Sequence, residues 1–402
     1  MNSDWKKAKL GSLIKFSSGG TPNKSNPAYW NGTIPWISAK AMKNDKIETS
    51  DLFITDEGLK KGSKLAQRGS LLLLVRGSGL FNGISICYVE KPVAYNQDVK
   101  CIESMSEIEN KYLFYWFKAN ANYLKNKLEL TSIGAGKFDT KFLSDLDILF
   151  PKVETRHKII SIADSITNKI EINNNINKNL AEQLRLIFKH TFIDAEHSEW
   201  PNERLGNFLS LERGLSYKGK YLSDSNGVPM INLGNILPNS VFRPEKLKFY
   251  TGDFKEKVVV KPGDIVVANT DLTQAREVLG SAIIIPDLGY STTICSHHIS
   301  IVRNCKISKH FIHGMLNSPS YRKRVIGFAT GTTVLALPNE TILNCEFSLP
   351  PVELINEYDL FAESIYQQSE MLRKENQQLS QLRDTLLPQL ISGRIDVSEV
   401  LI

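Results

Sequence analysis

Cysteine is scarce in these 402 residues. Cys87, Cys101, Cys295, Cys305 and Cys345 are an odd set with no Cys-x-x-Cys spacing, so neither a disulfide framework nor a zinc cluster is expected. Reduced thiols and a cytoplasmic setting fit this pattern. Long apolar runs are missing too. The longest purely aliphatic stretch is Leu71 to Val75, against the roughly 20 residues a membrane span needs. Met1 to Leu10 carries Asp4, Lys6, Lys7 and Lys9 in place of an apolar signal core, so no membrane contact is expected. Charge of one sign is only mildly in excess, 49 Lys plus Arg against 43 Asp plus Glu for a net +6, which fits a polyanionic partner without requiring one. No cofactor loop stands out either. Gly134-Ala135-Gly136-Lys137 looks like the end of a P-loop, but Thr131 stands where its first glycine belongs and Phe138 where Ser or Thr binds magnesium. It reads as a loop with its amides toward a phosphate. His297-His298 and His310 with His313 lack a Cys or carboxylate to complete a metal set. No catalytic or metal-ligating residue is therefore expected.

What is present is a pair of matched amphipathic rods. From His157 to Phe192, Ile159, Ile166, Asn173, Leu180 and Ile187 fall at heptad position a, with Ile162 and Ile176 at d. Adding 199 to each a position gives Tyr358, Ile365, Leu372, Leu379 and Leu386, and adding it to Ile162 gives Phe361. Two seams in one register predict an intramolecular coiled coil, each rod about 54 Å long at roughly 1.5 Å per residue. The short connection from Phe192 into Trp200 leaves no slack for a return along the rod, which favours antiparallel pairing.

The rods alternate with two globular blocks that repeat at an offset near 195. Trp5, Leu10, Gly11 and Gly19 recur as Trp200, Leu205, Gly206 and Gly214, and Pro35-Trp36-Ile37 returns as Pro229-Met230-Ile231. A turn and buried strand at Arg68 to Val75 match Lys261 to Ala268. Tyr112 to Leu128 and Lys309 to Val325 have helical spacing. Each block ends in a Gly/Thr-rich loop, Thr131 to Gly136 and Thr330 to Thr333, then a proline that leads into the rod. The expected fold is two α/β (α+β) domains, pseudo-twofold copies separated by two long antiparallel coiled-coil helices. The expected segments are residues 1–151, 152–195 for the first rod, 196–351, and 352–402 for the second rod.

Ser18-Gly19-Gly20-Thr21-Pro22 and Tyr29-Trp30-Asn31-Gly32-Thr33-Ile34-Pro35-Trp36-Ile37-Ser38 resemble the opening of the target-recognition domain in Type I restriction-modification specificity subunits. Leu386 to Ile395 is similar to the close of that family's second conserved helix. The second block lacks the Gly-Gly-Thr-Pro and Trp-x-Gly stretches, and Arg156 stands where a Gln is common. The resemblance implies a non-catalytic DNA-specificity subunit with a bipartite double-stranded target, docked to two methyltransferase subunits that restriction subunits join later. S-adenosylmethionine, ATP and magnesium then belong to partner subunits, with no cofactor in this chain. Two other readings remain at this stage. One is a stand-alone adenine-N6 methyltransferase, suggested by Asn26-Pro27-Ala28-Tyr29, one residue away from the Asn-Pro-Pro-aromatic grip on a flipped adenine. The other is a coiled-coil scaffold with protein-binding heads.

Base edges are read by Arg, Lys, Asn and Gln, positioned by Gly/Ser/Thr loops on phosphates. In the first block that chemistry falls at Gly19, Gly20, Thr21 with Lys24; Ser38 with Lys40; Arg76 with Ser78; Asn96 with Gln97; and Lys137. In the second it falls at Lys218 beside Ser216 and Tyr217; Asn232 and Asn235; Asn269, Thr270, Gln274 and Arg276; His297 and His298; and Thr332.

Overall fold

The computed structural model describes residues 5–131, 134–194, 199–238, 241–271, 276–331 and 335–397. They fall into two compact units. One holds the chain up to Ile172 and again from Glu375 onward; the other holds Asn173–Lys374. Each unit therefore contains one globular block and part of both long helices, Val153–Lys189 and Val352–Ile391.

The first unit is built on Leu71–Leu74, four leucines at 0 or 1% exposure. A strand apolar on both faces can only sit inside a covered sheet. Its sheet runs Ile14–Ser18, Val99–Ser104, Leu71–Leu74, Ile86–Val89, Lys46–Ile47. A second sheet runs Phe53–Ile54, Trp30–Ile37, Val93–Tyr95, Lys64–Ala66, with Trp36 and Ile37 parallel to Ala94 and Tyr95. The second unit repeats the order of both sheets apart from one edge strand in each. Ser210–Arg213, Ile299–Arg303, Ile265–Ala268 and Ala282–Ile284 form one sheet. The other centres on Val228–Ile231, where Met230 and Ile231 run parallel to Ile294 and Cys295. The sequence repeat is thus a repeat of topology, four strands of each sheet corresponding, with Lys46–Ile47 an added edge in the first unit and Leu222–Ser223 an added edge in the second.

The two recurring glycines have a steric cause in each unit. A Cβ on Gly19 would stand 2.0 Å from the Tyr95 carbonyl oxygen, and one on Gly214 would stand 2.2 Å from that of Ser296. Both let one sheet close against the other.

The helical stretches after each sheet are broken, not continuous as the spacing suggests. Asn110–Ala119 ends at Asn120, which starts Ala121–Lys125. Lys309–Leu316 ends before Ser318, whose hydroxyl caps Pro319–Gly327. Polar caps and a proline at the first helical position restart a helix in a new direction.

Inside the first unit the long helices lie antiparallel. Lys169 pairs with Glu375 at 3.4 Å, the Asn376 amide reaches the Ile170 carbonyl, and Ile159 and Ile162 share a core with Leu387, Leu390 and Ile391. The second helix stops at Gly393, left-handed at φ +69, where a Cβ would stand 2.9 Å from the Trp5 ring. Inside the second unit Phe188 packs edge-on against Tyr358, centroids 5.5 Å apart. The heptad register drifts in that unit. Leu184, Phe188 and Ala362 are buried, while the seam positions Ile187 and Phe361 are 38% and 39% exposed. A straight helix turns about 20° per heptad away from a 3.5-residue repeat, so where it packs on a globular core the buried stripe slides off the a and d positions.

Candidate nucleic-acid interface

In the first unit five separate loops meet at the end of the Val93–Tyr95 strand. The Gly20 amide donates to the Tyr95 carbonyl at 2.9 Å, and the Thr21 hydroxyl donates to Gln97 Oε1 at 2.7 Å. The Asn96 amide donates to the Ile37 carbonyl at 2.9 Å, which sets Ser38 beside it. The Val75 amide donates to the Asp98 carbonyl at 2.9 Å, and Arg76 forms an antiparallel bridge with Lys137. Gly19, Gly20, Thr21, Ser38, Arg76, Gln97 and Lys137, far apart in sequence, are thereby one neighbourhood. Arg76, Ser78 and Gln97 are exposed; Asn96 is buried and closes a turn on Asp98. Lys24 and Lys40 lie exposed in turns starting at Asn23 and Ser38.

The second unit repeats this frame. Leu215 donates to Cys295, Ser296 to Ile231, and Asn269 to His298, at 2.7, 2.8 and 3.0 Å, and Thr270 pairs with Ala336 where Arg76 pairs with Lys137. The side chains differ. His297 and His298 occupy the places of Gln97 and Asp98, with rings 3.9 Å apart and Tyr217 at 5.5 Å from His297. Burial lowers both imidazole pKa values; Arg213 lowers both further, and His297 adds to the lowering at His298. Both rings are therefore neutral near pH 7.

Several of the expected contacts are occupied internally. Asn232 and Asn235 form a reciprocal capping box, and their amides also donate to the Lys246 and Arg243 carbonyls. Asn269 is fully buried, donating to Ser300 Oγ at 2.9 Å; Thr270 is buried against His298 Nδ1 at 2.9 Å. Arg276, at φ +55, spends its guanidinium on the Ile326 carbonyl. Lys218 is exposed. Gln274 and Thr332 lie outside the described residues, as do the centres of both Gly/Thr-rich loops. Arg213, exposed and donating to the His297 carbonyl at 3.1 Å, joins the cluster although the sequence reading passed over it. Its position just before the repeated Gly214 was the available signal.

The loop that resembles a P-loop has no free amides at Gly134 and Ala135, which donate to the Thr131 carbonyl and hydroxyl. The expected phosphate-facing amides are instead the tip bonds of a hairpin, in which Glu129–Leu130 pairs with Gly136–Lys137. Asn26 caps a short 3-10 turn, its side chain accepting from the Ala28 amide at 3.0 Å. That is a structural use for the Asn-Pro-Ala-Tyr stretch. Among the described residues no group of three or more His, Cys, Asp or Glu is placed to hold a metal, and no helix is long and apolar enough to cross a membrane.

Residues 2–182 match the family model for the Type I restriction modification DNA specificity domain. The chain is also 24% identical over 425 residues to the Type I restriction enzyme MjaIX specificity subunit of Methanocaldococcus jannaschii, covering 99% of this chain and 95% of that one. Over nearly its whole length the chain is similar to Type I specificity subunits. Over 185 residues it is 29% identical to the EcoR124I/EcoR124II specificity subunit of Escherichia coli, 46% of this chain and 45% of that one. A crystal structure of the Type-I restriction-modification system S subunit from M. genitalium shares the fold, with a TM-score of 0.51 at 16% identity over 97% of this chain and 96% of that one. For a specificity subunit the task is recognition of DNA sequence, without catalysis of its own. The convergent loops are the candidate place for it in each unit.

Proposed function

We propose that this specificity subunit reads a bipartite double-stranded DNA target, one half-site per unit, for methyltransferase subunits that dock on its long helices and restriction subunits that join them. What supports the reading is one backbone frame built twice with different chemistry. Gln97, Asp98, Arg76 and Lys137 in the first unit correspond to His297, His298, Thr270 and Ala336 in the second. Equal scaffolds with unequal donors and acceptors read unequal base pairs, because base identity is carried by the pattern of groups on the groove edge.

Buried amides such as Asn96, Asn235 and Asn269 hold the loops in shape. Exposed Arg76, Gln97, Lys218 and Arg213 and half-buried Lys137 reach outward, Arg and Gln toward base edges and Lys toward phosphates. S-adenosylmethionine, ATP and magnesium act on the partner subunits in this scheme. A stand-alone methyltransferase is disfavoured, since Asn26 is committed to its turn.

The test is methylome sequencing of cells with and without this gene. Loss of one split motif, with both halves defined, is the expected result; an unchanged methylome together with salt-insensitive binding of DNA by the purified assembly would sink it. Arg76→Ala serves as the site-level arm. It is expected to weaken binding by about 1–3 kcal/mol if Arg76 pairs with guanine, through the first half-site alone, so equal losses on DNA altered in either half contradict the assignment.

A further inference from the structure

Two large apolar side chains stand exposed inside the otherwise polar neighbourhood of the first unit. Leu130 is 71% exposed and Phe81 42%. Scattered exposed apolar residues need no explanation; these two are placed together by the backbone. Leu130 lies directly opposite Gly136 in the hairpin, and cross-strand partners share a face. The missing side chain of Gly136 therefore points to the face that Leu130 occupies. A Cβ built there would stand 3.2 Å from Leu80 Cβ and 3.6 Å from Phe81 Cε1. Phe81 thus lies at van der Waals distance from that position, beside Leu80.

Its own loop is framed by Gly77 and Gly83, at φ +135 and +136, and anchored by the buried Leu80 and by the Gly77 amide on the Gly136 carbonyl at 3.0 Å. The adjoining face of the ribbon carries Lys137 with Arg76 as its bridge partner. Glu129 stands opposite Lys137 on that face, so the result is a narrow two-stranded ribbon with one apolar and one charged face. A ribbon of this kind fits the major groove, where the thymine 5-methyl is the one apolar group among the base edges.

We propose that Phe81 and Leu130 read a thymine methyl group in the first half-site. The inference rests on the DNA-reading function above and deepens it. It is confined to this unit. Leu335, 2% exposed, stands where Gly136 does, and the Thr330–Ala336 bridge puts Gly331 where Leu130 stands, so among the described residues the second unit's ribbon has no such exposed apolar pair.

The experiment uses the assembly captured on the tagged full-length chain from its own cells, presented with a random-sequence duplex library and then with defined duplexes. The expected motif contains thymine in its first half. Replacing that thymine by deoxyuridine, which removes only the methyl, weakens binding by roughly four- to tenfold. Phe81→Asn and Leu130→Asn lose both the thymine preference and the deoxyuridine effect, while Phe81→Leu keeps them, and all three melt like the parent. A first half without thymine overturns the proposal, as does a deoxyuridine duplex bound as tightly as the thymine one. So does a variant whose loss is equal for all four bases, which marks stacking between base pairs. Selection of no motif at all by the parent assembly is a separate outcome and defeats the DNA-reading function itself.

Discussion

At Arg156 a guanidinium only 2% exposed donates to both Glu109 carboxylate oxygens, at 2.7 and 3.3 Å, and to the Pro151 and Glu107 carbonyls. Burial works to raise the Glu109 pKa, and the hydrogen bonds from Arg156 and the Glu109 backbone amide and the charges of Arg156 and His157 together outweigh it, holding the carboxyl below its ordinary value. Arg156 thus locks the start of the first long helix to the block before it. Arg156→Met is expected to lower stability by about 3 kcal/mol, since it strands a partly buried carboxylate, and adding Glu109→Gln should restore part of the loss. Thermal unfolding of the three chains checks this, and an unshifted Arg156→Met melt refutes it. His313 offers a pH readout of the second unit. Its ring sits between the Tyr366 hydroxyl at 2.8 Å and the Asn317 amide at 3.2 Å. Burial first, and the charge of His310 second, press its pKa from 6.5 to about 4. A folded pKa below the unfolded one means the unfolded chain binds the proton more readily, so stability is intact above pH 6.5 and is lost as pH falls toward 4. Near pH 5 the loss is on the order of 2 kcal/mol. His313→Gln should flatten that part of the pH–Tm curve, and identical curves for both proteins would exclude the mechanism.

Among the elements, the long helices separate what periodicity can show from what it cannot. Their existence, their matched seams and their antiparallel sense were legible, because apolar spacing is a property of the helix itself. The stripe actually buried was not, because it depends on which globular surface each turn meets. Leu184, 8% exposed, and Ile187, 38% exposed, make the distinction measurable. Leu184→Ala is expected to cost about 2–4 kcal/mol and Ile187→Ala less than about 1 kcal/mol, whereas a strict heptad seam predicts the reverse order; urea unfolding of the two variants decides. The interface loops show the same limit. Gly19 and Gly214 were readable as repeats, and the structure supplies the close sheet contact behind them. Asn232, Asn235 and Asn269 carry the residue type of a base reader, yet each has its amide bonded within the unit. Sequence spells out donor and acceptor groups without saying which of them the loop itself consumes. Phe81 escaped notice for the opposite reason, since an apolar residue next to the buried Leu80 reads as core until its exposed place beside Gly136 and Leu130 is seen.

For the whole molecule, the single chain feature joining the two units is helical on both passes. Val153–Lys189 runs through the boundary at Ile172 and Asn173, and Val352–Ile391 runs through the boundary at Lys374 and Glu375. If each unit reads one half-site, helix length at these crossings sets the number of unread base pairs. Residues must be added at the crossings themselves. An insertion after Phe188 falls in the second unit's aromatic core, where Phe188 meets Phe192, Phe311 and Tyr358 at 5.0, 5.7 and 5.5 Å, and so tests folding in place of spacing. Four residues added after Ile172 and four after Lys374 lengthen both helices by about 6 Å and turn them by about 40°. Every loop at the two candidate interfaces keeps its neighbours. One base pair advances DNA by about 3.4 Å, so the variant is expected to methylate the same two half-sites with a gap one or two pairs longer and to leave the parental site unmodified. Methylation mapping of variant and parent reads this directly. An unchanged gap means that helix length does not set the spacing, and altered bases within either half mean that the helices take part in readout.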